Sequence, residues 1–151
     1  MDALALNAPI LFGEKGNYRR FAVRGWSDPD NPVRSWTDSS VAEVEFKVGL
    51  FKRDPLLRVE AVPFLVDGVL PVQELSIFLN GLWLNFVRAD NHIVLDTRVP
   101  RSYFNLQRNL LSFFMPRATC PKNQGWNEDE RWLAFAFLRI ELTSGAKASP
   151  I

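Results

Sequence analysis

VQELSIFLNGLWLNF, residues 72–86, decides the fold class. Leu75, Ile77 and Leu79 alternate with Glu74, Ser76 and Phe78. Asn80-Gly81 follows at once, ahead of Leu82-Trp83-Leu84-Asn85-Phe86. A period of two puts successive side chains on opposite faces of a pleated strand. Asn-Gly between two such runs is the strongest short hairpin signal, because a type I′ turn needs positive φ at both central residues. The pattern predicts two antiparallel strands joined by a tight turn.

Upstream, the segment GWSDPDNPVRSWTDSSVAEVEFKV, residues 25–48, moves from an aromatic loop into a second alternating run. Ala42, Val44, Phe46 and Val48 share one face, and Glu43, Glu45 and Lys47 point to water on the other. Pro9-Ile10-Leu11-Phe12-Gly13 reads as a short first strand, after a loosely held lead-in over residues 1–9. Glu14-Lys15-Gly16-Asn17 is a turn, and Arg20–Arg24 alternates weakly. After Lys52-Arg53-Asp54-Pro55, Leu57, Val59 and Ala61 alternate with Arg58 and Glu60. Pro63 marks an edge, a bulge or a break there, since it cannot donate to a ladder.

Beyond the hairpin, Asp90-Asn91 turns the chain into a strand over His92–Thr97. Pro100–Phe104 suits one turn of helix, with Pro at its start. Leu110–Met115 is an apolar strand that Pro116 ends, and residues 116–130 form a long polar connection. The last strand, Trp132–Leu142, sets Leu138, Ile140 and Leu142 opposite Arg139 and Glu141. A flexible tail is expected over residues 144–151. Short strands at this spacing, about eight or nine of them, predict an all-β fold. The expected form is one antiparallel two-sheet β-sandwich over residues 10–143, jelly-roll-like in topology.

At 151 residues the chain fits one domain with a sizeable core, and twelve Phe and five Trp supply large side chains that favour strands. A net charge of +1 with no basic stripe argues against nucleic acid. No apolar run approaches the roughly 18 residues of a membrane span, and Met1–Leu6 lacks the basic start of a signal peptide. The single Cys120 excludes an internal disulfide and, with the single His92, leaves no zinc cluster. A reducing, cytoplasmic setting follows as the expectation.

Four pieces occur in a characteristic order: Gly25-Trp26-Ser27-Asp28-Pro29-Asp30 with Arg34-Ser35-Trp36-Thr37-Asp38; Leu57–Leu65; Leu75–Gly81; and Asn127-Glu128-Asp129-Glu130-Arg131-Trp132-Leu133-Ala134-Phe135-Ala136. Together they resemble the β-sandwich accessory domain attached to bacterial glycosyltransferases, methyltransferases and related polysaccharide-assembly proteins. The resemblance implies a carbohydrate-binding-like module in cell-surface polysaccharide biosynthesis, with a glycosyltransferase as a candidate partner. It also implies that Asp129 and Arg131 meet the first loop in space.

Sugar recognition needs flat aromatic surfaces for the apolar faces of pyranose rings and planar polar groups for the hydroxyls. Trp26 and Trp36 supply the first; Arg34, Asp38, Asp129 and Arg131 supply the second. The structural alternative is that Trp36 plugs the sandwich end while Asp28 and Asp38 hold turn amides. Arg34 can equally stack on a tryptophan, and Asp129 with Arg131 can form an ion pair that fastens the long connection. Calcium, held by Asp129 with Asp28, Asp30 or Asp38, is a further option, although no EF-hand-type loop is present.

No nucleophile or orienting partner for His92 is apparent near it in the sequence, and Glu43, Glu45 and Glu60 read as a solvated sheet face, so no catalytic residue is assigned. Cys120, between Thr119 and Pro121, is expected to be inert unless its loop exposes it. The alternative function is a protein-interaction or scaffold domain, docking to a glycosyltransferase or to itself. Phe78, Trp83 and Phe86 would form its apolar patch.

Overall fold

The computed structural model describes residues 1–144 and is built from strands in two antiparallel five-stranded sheets. Of the tail read at 144–151, residues 145–151 lie outside the described part. The first sheet contains β1 (Ile10–Leu11), β3 (Ser35–Trp36), β5 (Leu56–Pro63), β8 (Ile93–Arg98) and β10 (Phe135–Thr143). Its order is β1-β10-β5-β8, with β3 also on β10. The second contains β2 (Ala22–Arg24), β4 (Val41–Phe46), β6 (Gln73–Leu79), β7 (Leu82–Ala89) and β9 (Asn109–Phe114), in the order β2-β4-β9-β6-β7. Single turns of 3-10 helix at Tyr18–Arg20 and Arg101–Tyr103 are the helical elements among the described residues, the second directly after Pro100 as expected.

The pairings β6–β7, β5–β8, β4–β9 and β3–β10 nest around one tip. That tip is Asn80-Gly81, where φ is +52° and +80°, the left-handed values a type I′ turn requires. The chain is therefore one long antiparallel hairpin rolled into two layers, which is the jelly-roll arrangement.

The apolar faces read from the alternation meet between the layers. Ala42, Val44, Phe46, Leu57, Val59, Ala61, Leu75, Ile77 and Leu79 are all buried in one cluster with Leu111, Phe113, Phe135 and Phe137. In β10 the register differs from the simple alternation. A bulge between Phe137 and Arg139 leaves Leu138 half-buried while Phe137 and Ile140 are both enclosed. One extra residue reverses which side of the sheet the flanking side chains take. The lead-in is also tied down: Leu4 is buried, and its N–H donates to the Lys47 carbonyl at 2.8 Å.

Glu43 departs from the expected solvated face. It is buried on the outside of β4, where Arg24 Nε donates to it at 2.7 Å and the Ser112 hydroxyl at 2.7 Å. Burial pushes its carboxyl up, but these hydrogen bonds and the Arg24 and Arg108 charges outweigh that and hold it below the usual carboxylate range. Glu45 instead pairs with Arg108 at 2.6 Å, nearer to water.

Candidate functional site

The aromatic loop and the long 116–134 connection meet at the end of the sandwich where β4 and β10 begin. Gly25 makes the turn into this loop with φ +85°, and a Cβ there would run into the Val41 carbonyl and the Ala42 backbone. The turn lays the loop onto β4, and the Gly25 carbonyl accepts the Asp38 N–H at 2.8 Å.

Trp26, the first residue past that turn, points inward. Its ring lies 4.9 Å from Phe12 and 5.0 Å from Phe137, with Phe113 and Tyr18 at its edges. Its indole N–H donates to the Glu43 carbonyl at 2.9 Å. Geometry therefore packs it, half-buried, against the aromatic core with its polar handle engaged. Trp36 alternates with the buried Ser35 and Thr37, pairs across to Ala136, and packs edge-on to Phe64 at 6.0 Å, half-buried. Arg34 is also half-buried, and its Nε has no hydrogen-bond partner among the described residues.

Asp129 and Arg131 face each other in a fork. Arg131 Nη2 donates to Asp129 Oδ2 at 2.7 Å and Nε to Oδ1 at 3.0 Å, while the Arg131 backbone N–H donates to the same Oδ1. The third arm of the guanidinium, Nη1, reaches Asp30 Oδ2 in the first loop at 3.3 Å. The two loops are thus joined, and Arg131 stands as the cation between two carboxylates. No group of three or more His, Cys, Asp or Glu side chains among the described residues is placed to hold one. Cys120 is buried beneath, its thiol donating to the Asp129 carbonyl at 3.7 Å.

The hydrogen bond from the Arg131 side chain, set against a smaller opposing effect of burial, holds the Asp129 carboxyl below its ordinary value. Since the folded pKa is the lower one, the pair stabilises the protein above the unfolded pKa of about 3.9 and loses that effect as pH falls through the folded value. Asp129→Asn should cost about 1 kcal/mol near neutral pH, a modest figure because both side chains retain some solvent contact. The difference from the native protein should be smaller at a pH below the unfolded value. Urea titrations at the two pH values check this, and a pH-independent difference would refute it.

The second join between the loops shapes a hollow. Asp38 Oδ1 accepts the Trp132 backbone N–H at 2.8 Å, leaving Oδ2 free of that bond. Thr37 exchanges backbone hydrogen bonds with β10 by accepting from Phe135 N through its hydroxyl and donating its N–H to the Phe135 carbonyl. Between these joins is an open notch of about 440 Å³, lined by Asp38, Ser39, Ser40, Pro116, Ala118 and Trp132. Trp132 is 46% exposed, an indole set beside a carboxylate and two hydroxyls. Of the six residues singled out in the sequence, Asp38 alone lines this notch. Asp129 and Arg131 instead tie the long connection to Asp30 of the first loop, and Trp26 packs against the aromatic core. The sequence places Trp132 at the end of a second candidate segment, Trp126–Trp132, and at the start of the last strand; β10 in fact begins three residues later, which frees Trp132 to belong to the rim.

A second apolar feature lies on the outer face of the second sheet. Ser76 sits between Phe86 and Phe114, and in the next row Phe78 sits between Trp83 and Ser112. Trp83, Phe86 and Phe114 are exposed.

No family model and no curated protein matches the sequence. Among solved structures, the chain is similar to a carbohydrate-binding module, CBM36, in complex with calcium and xylotriose. Identity is 9%, coverage is 82% of this chain and 88% of that one, and the TM-score is 0.43. It is also similar to a family 35 carbohydrate-binding module from an environmental isolate, at 11% identity, 93% and 88% coverage and a TM-score of 0.45. A third likeness is to the Podospora anserina GH26-CBM35 β-(1,4)-mannanase, at 11% identity over 99% of this chain and 27% of that one, with a TM-score of 0.35.

Proposed function

We propose that this protein is a non-catalytic saccharide-binding module that takes a sugar unit in the notch between Asp38 and Trp132. The observation that carries the reading is the exposed Trp132 indole beside a carboxylate with one oxygen to spare, on a rim already fastened by Arg131 and Asp30. The indole offers an apolar plate to a pyranose ring, and Asp38 Oδ2 with the Ser39 and Ser40 hydroxyls addresses its edge. Few polar groups converging beside an apolar wall is the usual composition of a ligand pocket. Rigid loops reduce the ordering cost of binding.

The carboxylates that hydrolysis would need are committed elsewhere. Glu43 is held by Arg24 and Ser112 and Glu45 by Arg108, both on the second sheet, and Glu60 by His92 at 2.8 Å on the first. The wider setting belongs to the same proposal: a cytoplasmic protein serving bacterial cell-surface polysaccharide assembly, in company with a glycosyltransferase.

Titration of an oligosaccharide panel against three proteins tests the reading. Trp132→Ala should weaken binding by roughly 30-fold, the scale of losing a buried aromatic anchor. Asp38→Asn should weaken it by roughly 10-fold while keeping the Oδ1 bond to the Trp132 N–H, so the rim stays closed. Trp36→Ala should bind as the native protein does. A glycan array with no native binder, or equal binding by the first two variants, would overturn it.

The exposed Trp83, Phe86 and Phe114 favour a second reading, in which the outer face of the second sheet docks to a glycosyltransferase or to a second copy. A strict monomer in sedimentation, with no copurifying partner, would count against that.

A further inference from the structure

The end of the sandwich opposite the notch carries large aliphatic side chains on its loop tips. Leu50, between β4 and β5, is 90% exposed, and Leu106, between β8 and β9, is 76% exposed. The two line one shallow hollow of about 150 Å³, and Leu50 with Leu6, Phe51 and Pro55 lines a neighbouring one of about 360 Å³. These tips are held firmly from behind. The Phe51 and Phe104 rings are 4.8 Å apart, and Arg101 Nη1 donates to the Lys52 carbonyl at 2.9 Å. Arg101 N–H also donates to Asp54 Oδ1 at 2.9 Å. The leucines protrude because the backbone is fixed, with their side chains left to solvent.

Charge around the tips is one-sided. Asp54 is matched by Arg101 and Glu45 by Arg108, and Lys47 lies near Asp2, but Lys52 and Arg53 take part in no ion pair among the described residues. Lys52 and Arg53 line the same hollow as Leu6 and Leu50. A chain whose net charge is only +1 thus concentrates unmatched cations where it also exposes its most prominent aliphatic groups.

We propose that this end is a peripheral docking tip for an anionic lipid bilayer. Leu50 and Leu106 enter the headgroup and upper acyl region, and Lys47, Lys52 and Arg53 sit at the phosphate level. Such a surface offers hydrocarbon and negative charge together at every point, which matches side chains that project rather than a cleft that encloses. Docking in this way requires no spanning segment, and no helix of the described residues is long and apolar enough to cross a membrane. The saccharide notch would face away from the lipid.

The test is cosedimentation of the whole protein with vesicles of phosphatidylcholine, alone or mixed with phosphatidylserine. The native protein should bind the mixed vesicles and largely ignore phosphatidylcholine alone. Leu50→Asp with Leu106→Asp should lower partitioning at least about 10-fold without moving the unfolding midpoint, since both side chains are exposed. Lys52→Gln and Arg53→Gln should each lower it roughly five-fold. Raising salt until the screening length falls from about 10 to about 3 Å should release most of the protein. Failure to bind phosphatidylserine vesicles at low salt overturns the proposal. So does binding that the leucine variants leave unchanged, because diffuse charge attraction would then suffice. A dimer that Leu50→Asp dissolves, without vesicle binding, would reassign the tip to a second copy.

Discussion

Trp26→Ala is expected to destabilise the protein by about 3–5 kcal/mol, the scale of removing a large core aromatic. The indole packs near four other rings, Phe12, Tyr18, Phe113 and Phe137, which come from just after the first strand, the 3-10 turn and both sheets. Truncation opens a cavity that this framework cannot collapse into, because Gly25 and β4 fix the backbone on either side. It also strips the Glu43 carbonyl of its indole donor. Trp26→Phe separates the two effects: it keeps most of the packing, loses the N–H, and should cost about 1–2 kcal/mol. Urea unfolding of the three proteins measures both. If Trp26→Ala stays within about 1 kcal/mol of native while saccharide binding disappears, then Trp26 is a ligand surface and the core assignment fails.

That experiment bears on what the sequence makes visible. Two tryptophans stand ten residues apart in one polar loop, and nothing in their neighbours says which one turns inward. The answer depends on the positive φ of Gly25 and on a carbonyl offered by Glu43, a residue whose own side chain reads as solvated from its place in the alternation. The sandwich itself was legible, because alternation over β4, β5 and β6 names the buried face directly and the Asn-Gly turn marks the tip of the roll. Phe78 falls on the polar side of that same alternation, but the faces of Phe78, Trp83 and Phe86 stay open in the sequence and are fixed by the sheet register. In β10 the pattern Leu138, Ile140, Leu142 is equally regular and yet differs from the fold at Leu138, because a bulge inserts a residue that periodicity cannot register. Contacts between the two rim loops, Arg131 with Asp30 and Trp132 with Asp38, span roughly a hundred residues and leave no local trace.

Asn109→Leu is expected to cost about 3 kcal/mol, although it keeps the branched shape and adds apolar surface in a fully buried position. Asn109 is the centre of a polar network under the lipid-docking tip. Its Oδ1 accepts from the Asn105 N–H at 2.7 Å and from Asn80 Nδ2 at 3.0 Å, and its Nδ2 donates to the Asn105 carbonyl at 3.0 Å and to the Phe46 carbonyl at 3.4 Å. Asn80 completes the network: its Nδ2 also donates to the Tyr103 carbonyl, and its Oδ1 accepts the Leu110 N–H. A leucine satisfies none of these groups, and each backbone group left buried without a partner costs about 1–3 kcal/mol, part of which admitted water recovers. The larger consequence is local. Without the Asn109 bonds to Asn105, the segment that presents Leu106 keeps the Asn80 bond to the Tyr103 carbonyl, the Asn105 bond to the Arg108 carbonyl, Arg101 and the Phe51–Phe104 contact, but loses its central brace. Amide hydrogen exchange should therefore rise across residues 103–108 before it rises in β5 or β10, while urea unfolding records the global loss. Uniform exchange across the sandwich, or a loss below about 1 kcal/mol, would mean that the network does not brace the tip.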